Sequence, residues 1–152
     1  MNSDGQAAKA PLSFWIVSGL SLLWNAFGGY DYLMTRTRNM DYLASAAGNE
    51  QLAGEMLAMI EGMPVWAHVL WGLGVWSSVL GSILLLVRSR HAVMAFLVSL
   101  IAAALSFAYQ ATLTMPPGLD SMAMKIMPLV ILIAIAFFWQ FSRREAAKGT
   151  LR

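Results

Sequence analysis

LGSILLLVRSRHAVMAFLVSL, residues 80–100, consists of two apolar runs separated only by the short basic segment Arg88–His91. Extended outward, each run reaches about 20 residues, the length of helix that crosses about 30 Å of hydrocarbon. Positive charges next to apolar spans are typical of a turn that stays on the cytoplasmic side of a membrane. The stretch therefore predicts a helical hairpin that crosses a membrane twice.

Two more apolar runs flank this hairpin, so we predict an all-α integral membrane bundle of four transmembrane helices. Proline precedes two spans, at Pro11 and Pro64, and Pro116 and Pro117 end another. Pro128 lies inside the last run and leaves open whether that helix begins before it or at it. The predicted spans are residues 12–34, 64–87, 92–114 and 122–141.

Composition supports a membrane protein and excludes several functions. Of the 152 residues, 59% are hydrophobic and 12% are charged, whereas soluble domains have about 45–50% and about 25%. Cysteine is absent, which excludes disulfides, thiolate metal sites and thiol catalysis. The net charge is only +2, with no basic face to bind nucleic acid. We treat residues 1–152 as one membrane domain.

The distribution of lysine and arginine predicts the orientation. Seven such residues flank the side that holds both termini and the 88–91 turn, against three on the other side. Both termini are therefore predicted to be cytoplasmic, with residues 142–152 as a cytoplasmic tail. A cleaved signal peptide is a competing interpretation of Leu12–Trp24, but we expect the first span to be retained.

The outer loop between the first two spans, residues 35–63, is too long for a simple connection. After Asn49, a suitable N-cap, apolar and polar residues separate onto two helical faces. This pattern predicts an amphipathic helix that packs across the outer mouth of the bundle. Its apolar face would hold Leu52, Met56, Met59, Ile60 and Met63, and its polar face Glu50, Gly54, Ala58 and Glu61.

Small and weakly polar residues form a stripe on three of the spans, and we expect these stripes to pack against other helices. Asn25, in the first stripe, would donate a hydrogen bond to a neighbouring helix. The expected packing residues are Ser21, Gly28, Gly74, Ser78, Ser99 and Ser106.

Polar side chains near the outer ends of the spans predict a candidate binding cluster. A carboxylate such as Asp31 is costly at mid-bilayer but much less so at the interface, where it would be either a solvated interfacial acid or part of an outward-open pocket. A hydrogen bond between Asp31 and His68 would create a proton-relay or cation-binding pair. The cluster would comprise Asn25, Asp31, Tyr32, His68, Trp71, Tyr109 and Gln110, with Lys125 at its edge.

No cofactor is expected, although a metal remains open. His68 and His91 belong to opposite membrane faces, so they cannot both ligate one haem iron. Nine of the eleven methionines lie on the predicted outer side. Thioethers bind Cu(I), but methionine is also an adaptable apolar filler, and no repeated spacing favours copper.

Three segments resemble a group of small four-helix proteins of Gram-negative bacterial inner membranes that are loosely described as sugar-transporter-like. They are FWIVSGLSLLWNAFGGYDYLMTRTRN (residues 14–39), the hairpin of residues 80–100, and FFWQFSRREAAKGTLR (residues 137–152). The resemblance implies a bacterial inner-membrane location and a role in small-solute transport.

The residues themselves favour a different function. No catalytic motif is visible, so the chain is not expected to be an enzyme. A small chain without a soluble domain is typical of an accessory or interaction subunit that contacts lipid and either other membrane subunits or copies of itself. The alternatives are a carrier of small sugar-like solutes or ions that acts as an oligomer, and a periplasm-facing metal or proton site built on Asp31 and His68.

Overall fold

The computed structural model describes residues 9–152, and this part of the chain forms six α-helices and no strand. The first eight residues of the predicted domain lie outside the described residues. α1, α4, α5 and α6 are each long and apolar enough to cross a membrane, which confirms an all-α chain with four such helices. The helices are α1 (Leu12–Arg36), α2 (Met40–Ala47), α3 (Glu50–Glu61), α4 (Val65–Leu86), α5 (His91–Gln110) and α6 (Met122–Ala147).

The four long helices pack in the order α1, α4, α5, α6, and the α4–α5 contact is the most extensive. α1 and α6 meet through Phe14 and Phe141, whose stacked rings lie 6.0 Å apart between centroids. We call the end that carries α2 and α3 the loop end, and the end that carries the α4–α5 turn the hairpin end. The main apolar core lies at the hairpin end and comprises Phe14, Leu85, Ala92, Phe96, Phe138 and Leu151.

Residues 142–152, the predicted cytoplasmic tail, fold against the bundle. α6 continues to Ala147, and Leu151 inserts into the core with only 2% of its surface exposed. Backbone hydrogen bonds hold it there: the Arg152 amide donates to the Arg88 carbonyl at 2.7 Å, and the Arg90 amide donates to the Arg152 carbonyl at 2.8 Å. The end of the chain therefore closes the hairpin end of the bundle.

The loop end contains two helices where the sequence predicted one. α3 begins at Glu50 as expected, with the Asn49 side chain accepting from the Leu52 amide at 2.9 Å. α2 was not predicted, although its cap is of the same kind: Asn39 accepts from the Tyr42 amide at 3.0 Å. Gly48 ends α2 with a φ of 101°, a conformation that glycine adopts without steric cost.

α3 lies at the loop end, and its buried residue is Ala53, which belongs to neither face of the predicted amphipathic pattern. Near its start, Leu52 packs so closely under Gly118 of the α5–α6 connection that a Cβ at Gly118 would lie 3.1 Å from Leu52 Cδ2. At its other end, Glu61 forms an ion pair with Arg38, just after α1, with 2.6 Å between Oε1 and Nε. The helix therefore bridges two connections of the bundle.

The predicted end of the third span is wrong, whereas the fourth span begins at residue 122 as predicted. α5 ends at Gln110 instead of residue 114, because tighter turns follow, in which the Thr112 side chain donates to the Tyr109 carbonyl at 2.7 Å. α6 begins at Met122 and continues through Pro128. Since proline lacks only one backbone donor, the rest of the helix retains its hydrogen bonds.

Candidate functional site

Asn25 belongs to a buried polar network in the middle of the bundle. Its amide nitrogen donates to Ser82 Oγ at 2.9 Å and to Ser21 Oγ at 3.4 Å, and the two serine oxygens lie 2.7 Å apart. All three side chains are buried. Because a buried amide without a partner is costly in hydrocarbon, this network ties α1 to α4 at one register.

The small-residue stripes of α4 and α5 pack against each other. Ser99 Oγ donates to the Gly74 carbonyl at 2.6 Å, and a Cβ at Gly74 would lie 3.3 Å from the Ala103 backbone nitrogen. Ser78 and Ser106 are also buried. The interface is therefore filled by direct contact between helices.

On α1, the sequence predicted that Gly28 would pack against another helix, but the neighbouring Gly29 makes the close contact with α4. A Cβ at Gly29 would meet Val79 at 3.5 Å, whereas a Cβ at Gly28 would have no atom outside its own helix turn within 4 Å. Together with Ser21, Gly29 places α1 close to α4, and Gly28 lies to one side of this seam.

Asp31 binds α2. Its Oδ1 accepts a hydrogen bond from the Tyr42 hydroxyl at 2.7 Å, and the Tyr42 ring packs edge-on against Tyr30 with centroids 5.5 Å apart. Burial, followed by the hydrogen bond and the negative charge of Asp31, raises the pKa of Tyr42 from 10.0 to about 12. Asp31 therefore fastens α2 to α1.

We expect Tyr42→Phe to loosen α2 without unfolding the bundle. Loss of one hydrogen bond to a carboxylate, worth about 1.5–3 kcal/mol, should speed amide hydrogen exchange in α2 about tenfold or more, while exchange in α5 stays unchanged. Because the raised pKa keeps the donor protonated, the contact should be complete below pH 10 and lost as the pH rises towards 12. The tyrosinate absorbance of the wild type minus that of Tyr42→Phe should titrate near pH 12, and a midpoint near 10 would contradict the contact.

Aromatic pairs occupy much of the loop end of α4. The Tyr32 ring packs against Trp71 and Trp76, with centroids 4.7 and 6.0 Å away, and the Tyr109 ring packs against Trp66 at 4.8 Å. These contacts join α1 and α5 to α4. Gln110, by contrast, donates to Ser106 Oγ within its own helix at 3.1 Å.

A cavity of about 310 Å³ lies at the loop end, and we call it the loop-end pocket. It opens between the end of α1, the second half of α3 and the start of α4. The residues that line it are Thr35, Arg36, Arg38, Leu57, Ile60, Glu61 and His68.

An open groove of about 640 Å³ runs beside the pocket along α1 and α4, and we call it the lateral groove. It shares Arg36 and His68 with the pocket, so the two cavities meet at these side chains. Its other lining residues are Tyr32, Val65, Val69, Gly72, Leu73 and Trp76.

The expected outer cluster is thus distributed over several separate contacts. Within residues 9–152, no hydrogen bond joins Asp31 to His68, and Nδ1 of His68 is buried without a hydrogen-bond partner. In the same part of the chain, no group of three or more histidine, cysteine, aspartate or glutamate residues is placed to hold a metal ion. His68 and Tyr32 remain at the loop end, whereas Asn25 does not.

Sequence reasoning did not identify the arginines of the loop-end pocket. Arg36 and Arg38 are two of the three basic residues on the side predicted to be poor in lysine and arginine, and the sequence predicted no other role for them. A signal was present nonetheless, because two arginines on the side that should be poor in them need an explanation. Comparison with known proteins gives no explanation for these arginines, because no family model, no curated protein and no solved structure matches this chain.

Proposed function

We propose that the protein is an accessory or interaction subunit of a larger assembly in a bacterial inner membrane, with both termini on the cytoplasmic side. The observation that supports this most directly is the loop-end half of α6. From Met122 to Leu132 none of its residues is buried, whereas the other half contributes Ile135, Phe138 and Ser142 to the bundle. Within residues 9–152, this half of the helix therefore contributes no buried side chain to the bundle.

The interior of the bundle also favours this proposal over a carrier. The stripes that could line a passage are in contact with one another at Ser99 and Gly74, and at Ser21, Asn25 and Ser82. A solute path through a single copy would have to separate these contacts. A carrier would therefore need a path between copies, which again requires an assembly.

Photocrosslinking in cells tests the proposal. A benzophenone amino acid at Leu129, which is 60% exposed, should give one discrete protein adduct. Without crosslinking, the same partner should copurify in stoichiometric amount in mild detergent. An adduct of twice the chain mass would identify the partner as a second copy. The matched control is Leu80 on α4, which is 51% exposed and should give none.

Two results would overturn the proposal. One is a monomer in mild detergent with no discrete adduct from Leu129. The other is an equal yield of adducts from Leu129 and Leu80, because contact without preference for one helix is what random collision in the membrane produces.

A further inference from the structure

One basic residue of the loop end, Arg36, has no ion-pair partner among the described residues, although acidic residues outnumber basic ones at this end by six to three. Three basic residues lie there: Arg38 pairs with Glu61 at 2.6 Å, and Lys125 pairs with Asp120 at 2.9 Å. Arg36 has no hydrogen bond or ion pair to any of residues 9–152. Arg36 lies in the last turn of α1, where its charge interacts favourably with the helix dipole. The N–H donors of its guanidinium nevertheless have no acceptor among the described residues.

His68 is the second unsatisfied group, and it lines the same two cavities as Arg36. Its Nδ1 is buried and makes no hydrogen bond to the described residues. Buried polar atoms nearly always have a partner, and where the protein supplies none the partner is a water, an ion or another bound molecule. The guanidinium of Arg36 can only donate hydrogen bonds, so a ligand there must offer an acceptor, and the positive charge favours an anion. Nδ1 of His68 can donate to the same ligand in the tautomer that carries the ring proton on this nitrogen.

The lateral groove continues from these donors along an apolar surface. Val65, Val69 and Leu73 on its α4 wall are 78%, 60% and 44% exposed. Gly72 allows Tyr32 to pack closely against α4 at the wall of the groove, since a Cβ at Gly72 would lie 3.0 Å from the tyrosine hydroxyl. The groove therefore has a positive charge at the end formed by Arg36 and an apolar surface along the exposed side of α4.

We propose that this site binds an anionic phospholipid, with the phosphate at Arg36 and His68 and an acyl chain along the lateral groove. A guanidinium matches a phosphate in both charge and geometry. The adjoining Arg38–Glu61 pair adds no net charge, so Arg36 determines the sign of the site. A soluble anion would use the loop-end pocket alone and would leave the apolar groove unexplained. The inference does not depend on the proposed subunit function.

The test offers the purified full-length chain equal amounts of phosphatidylglycerol and phosphatidylcholine with identical palmitoyl and oleoyl chains, followed by native mass spectrometry. Both headgroups contain the phosphate, but phosphatidylcholine also carries a quaternary ammonium cation that neutralises it and is repelled by Arg36, so the wild type should retain one phosphatidylglycerol with a preference of about fivefold, as expected for one exposed charge interaction. Arg36→Gln should abolish the preference, and His68→Phe should reduce it. Lys125→Gln is the matched control, because it removes one charge from the same end without touching the groove.

Arg36→Lys keeps the charge but loses the planar donor geometry, so an intermediate preference is expected. Arg36 is exposed, so these variants should keep the wild-type helix content, which circular dichroism checks. Equal retention of the two lipids by the wild type would overturn the proposal, as would an equal loss in Lys125→Gln. Displacement of phosphatidylglycerol by millimolar inorganic phosphate would also overturn it, because the site would then bind a soluble anion.

Discussion

Gly81→Ala is expected to destabilise the bundle by about 1–3 kcal/mol, the usual cost of adding a methyl group to a filled core. A Cβ at Gly81 would lie 3.0–3.1 Å from three atoms of the Phe96 ring. Phe96 cannot move aside easily, since it is fully buried and packs against Phe138 with ring centroids 5.9 Å apart. The shift should appear as a lower midpoint in an SDS titration followed by circular dichroism.

The chain provides a matched control for this substitution. Gly19 also lies within a long helix, but a Cβ there would have no other atom within 4 Å. Gly19→Ala should therefore be neutral or slightly stabilising, because alanine has the higher helix propensity. Adding Phe96→Leu to Gly81→Ala should cost less than the sum of the two single changes. Strict additivity would show that the alanine does not press on the ring.

Leu151→Ala is expected to cost about 2–5 kcal/mol, as for other buried leucines. Leu151 is 2% exposed and packs in the hairpin-end core with residues from α1, α4, α5 and α6. Its loss should also release the backbone pairing of Arg152 with Arg88 and Arg90, so amide exchange at Arg90 and Arg152 should accelerate. The SDS midpoint and hydrogen exchange measured by mass spectrometry give these two readouts.

Leu23→Ala is the control for this change, since Leu23 is 71% exposed and its truncation should alter stability by less than about 0.5 kcal/mol. If Leu151→Ala behaved like Leu23→Ala, with unchanged exchange at Arg90, the last residues of the chain would not be part of the core.

The four long helices were predictable because span length and apolar composition follow from the thickness of the hydrocarbon and not from tertiary contacts. α3 was predictable for a similar local reason, since Asn49 caps it and its pattern repeats over three turns. α2 has only eight residues, which is too short for a clear period. Pro128 left the start of α6 open, because local propensity alone does not show whether the helix tolerates it.

The partners of the polar residues could not be predicted, because they depend on how far one helix slides along another. The expected cluster placed Asn25 at the depth of His68. Asn25 instead contacts Ser82. Ser82 and His68 both belong to α4 and are 14 residues apart, which is about 21 Å along the helix axis. Likewise, Asp31 bonds to Tyr42 of a helix that the sequence did not reveal.

The unequal lengths of the long helices constrain the bilayer around them. α5 has 20 residues, whereas α1 and α6 have 25 and 26, so at about 1.5 Å per residue α5 is about 30 Å long and the others about 38 Å. An upright α5 matches an average hydrocarbon thickness, and its two longer neighbours must then tilt or project into the headgroups. Both longer helices carry charged residues near their C-terminal ends, Arg36 on α1 and Arg143, Arg144 and Glu145 on α6, so their extra length is expected to extend into the headgroups. A bilayer thicker than α5 would have to thin beside this helix.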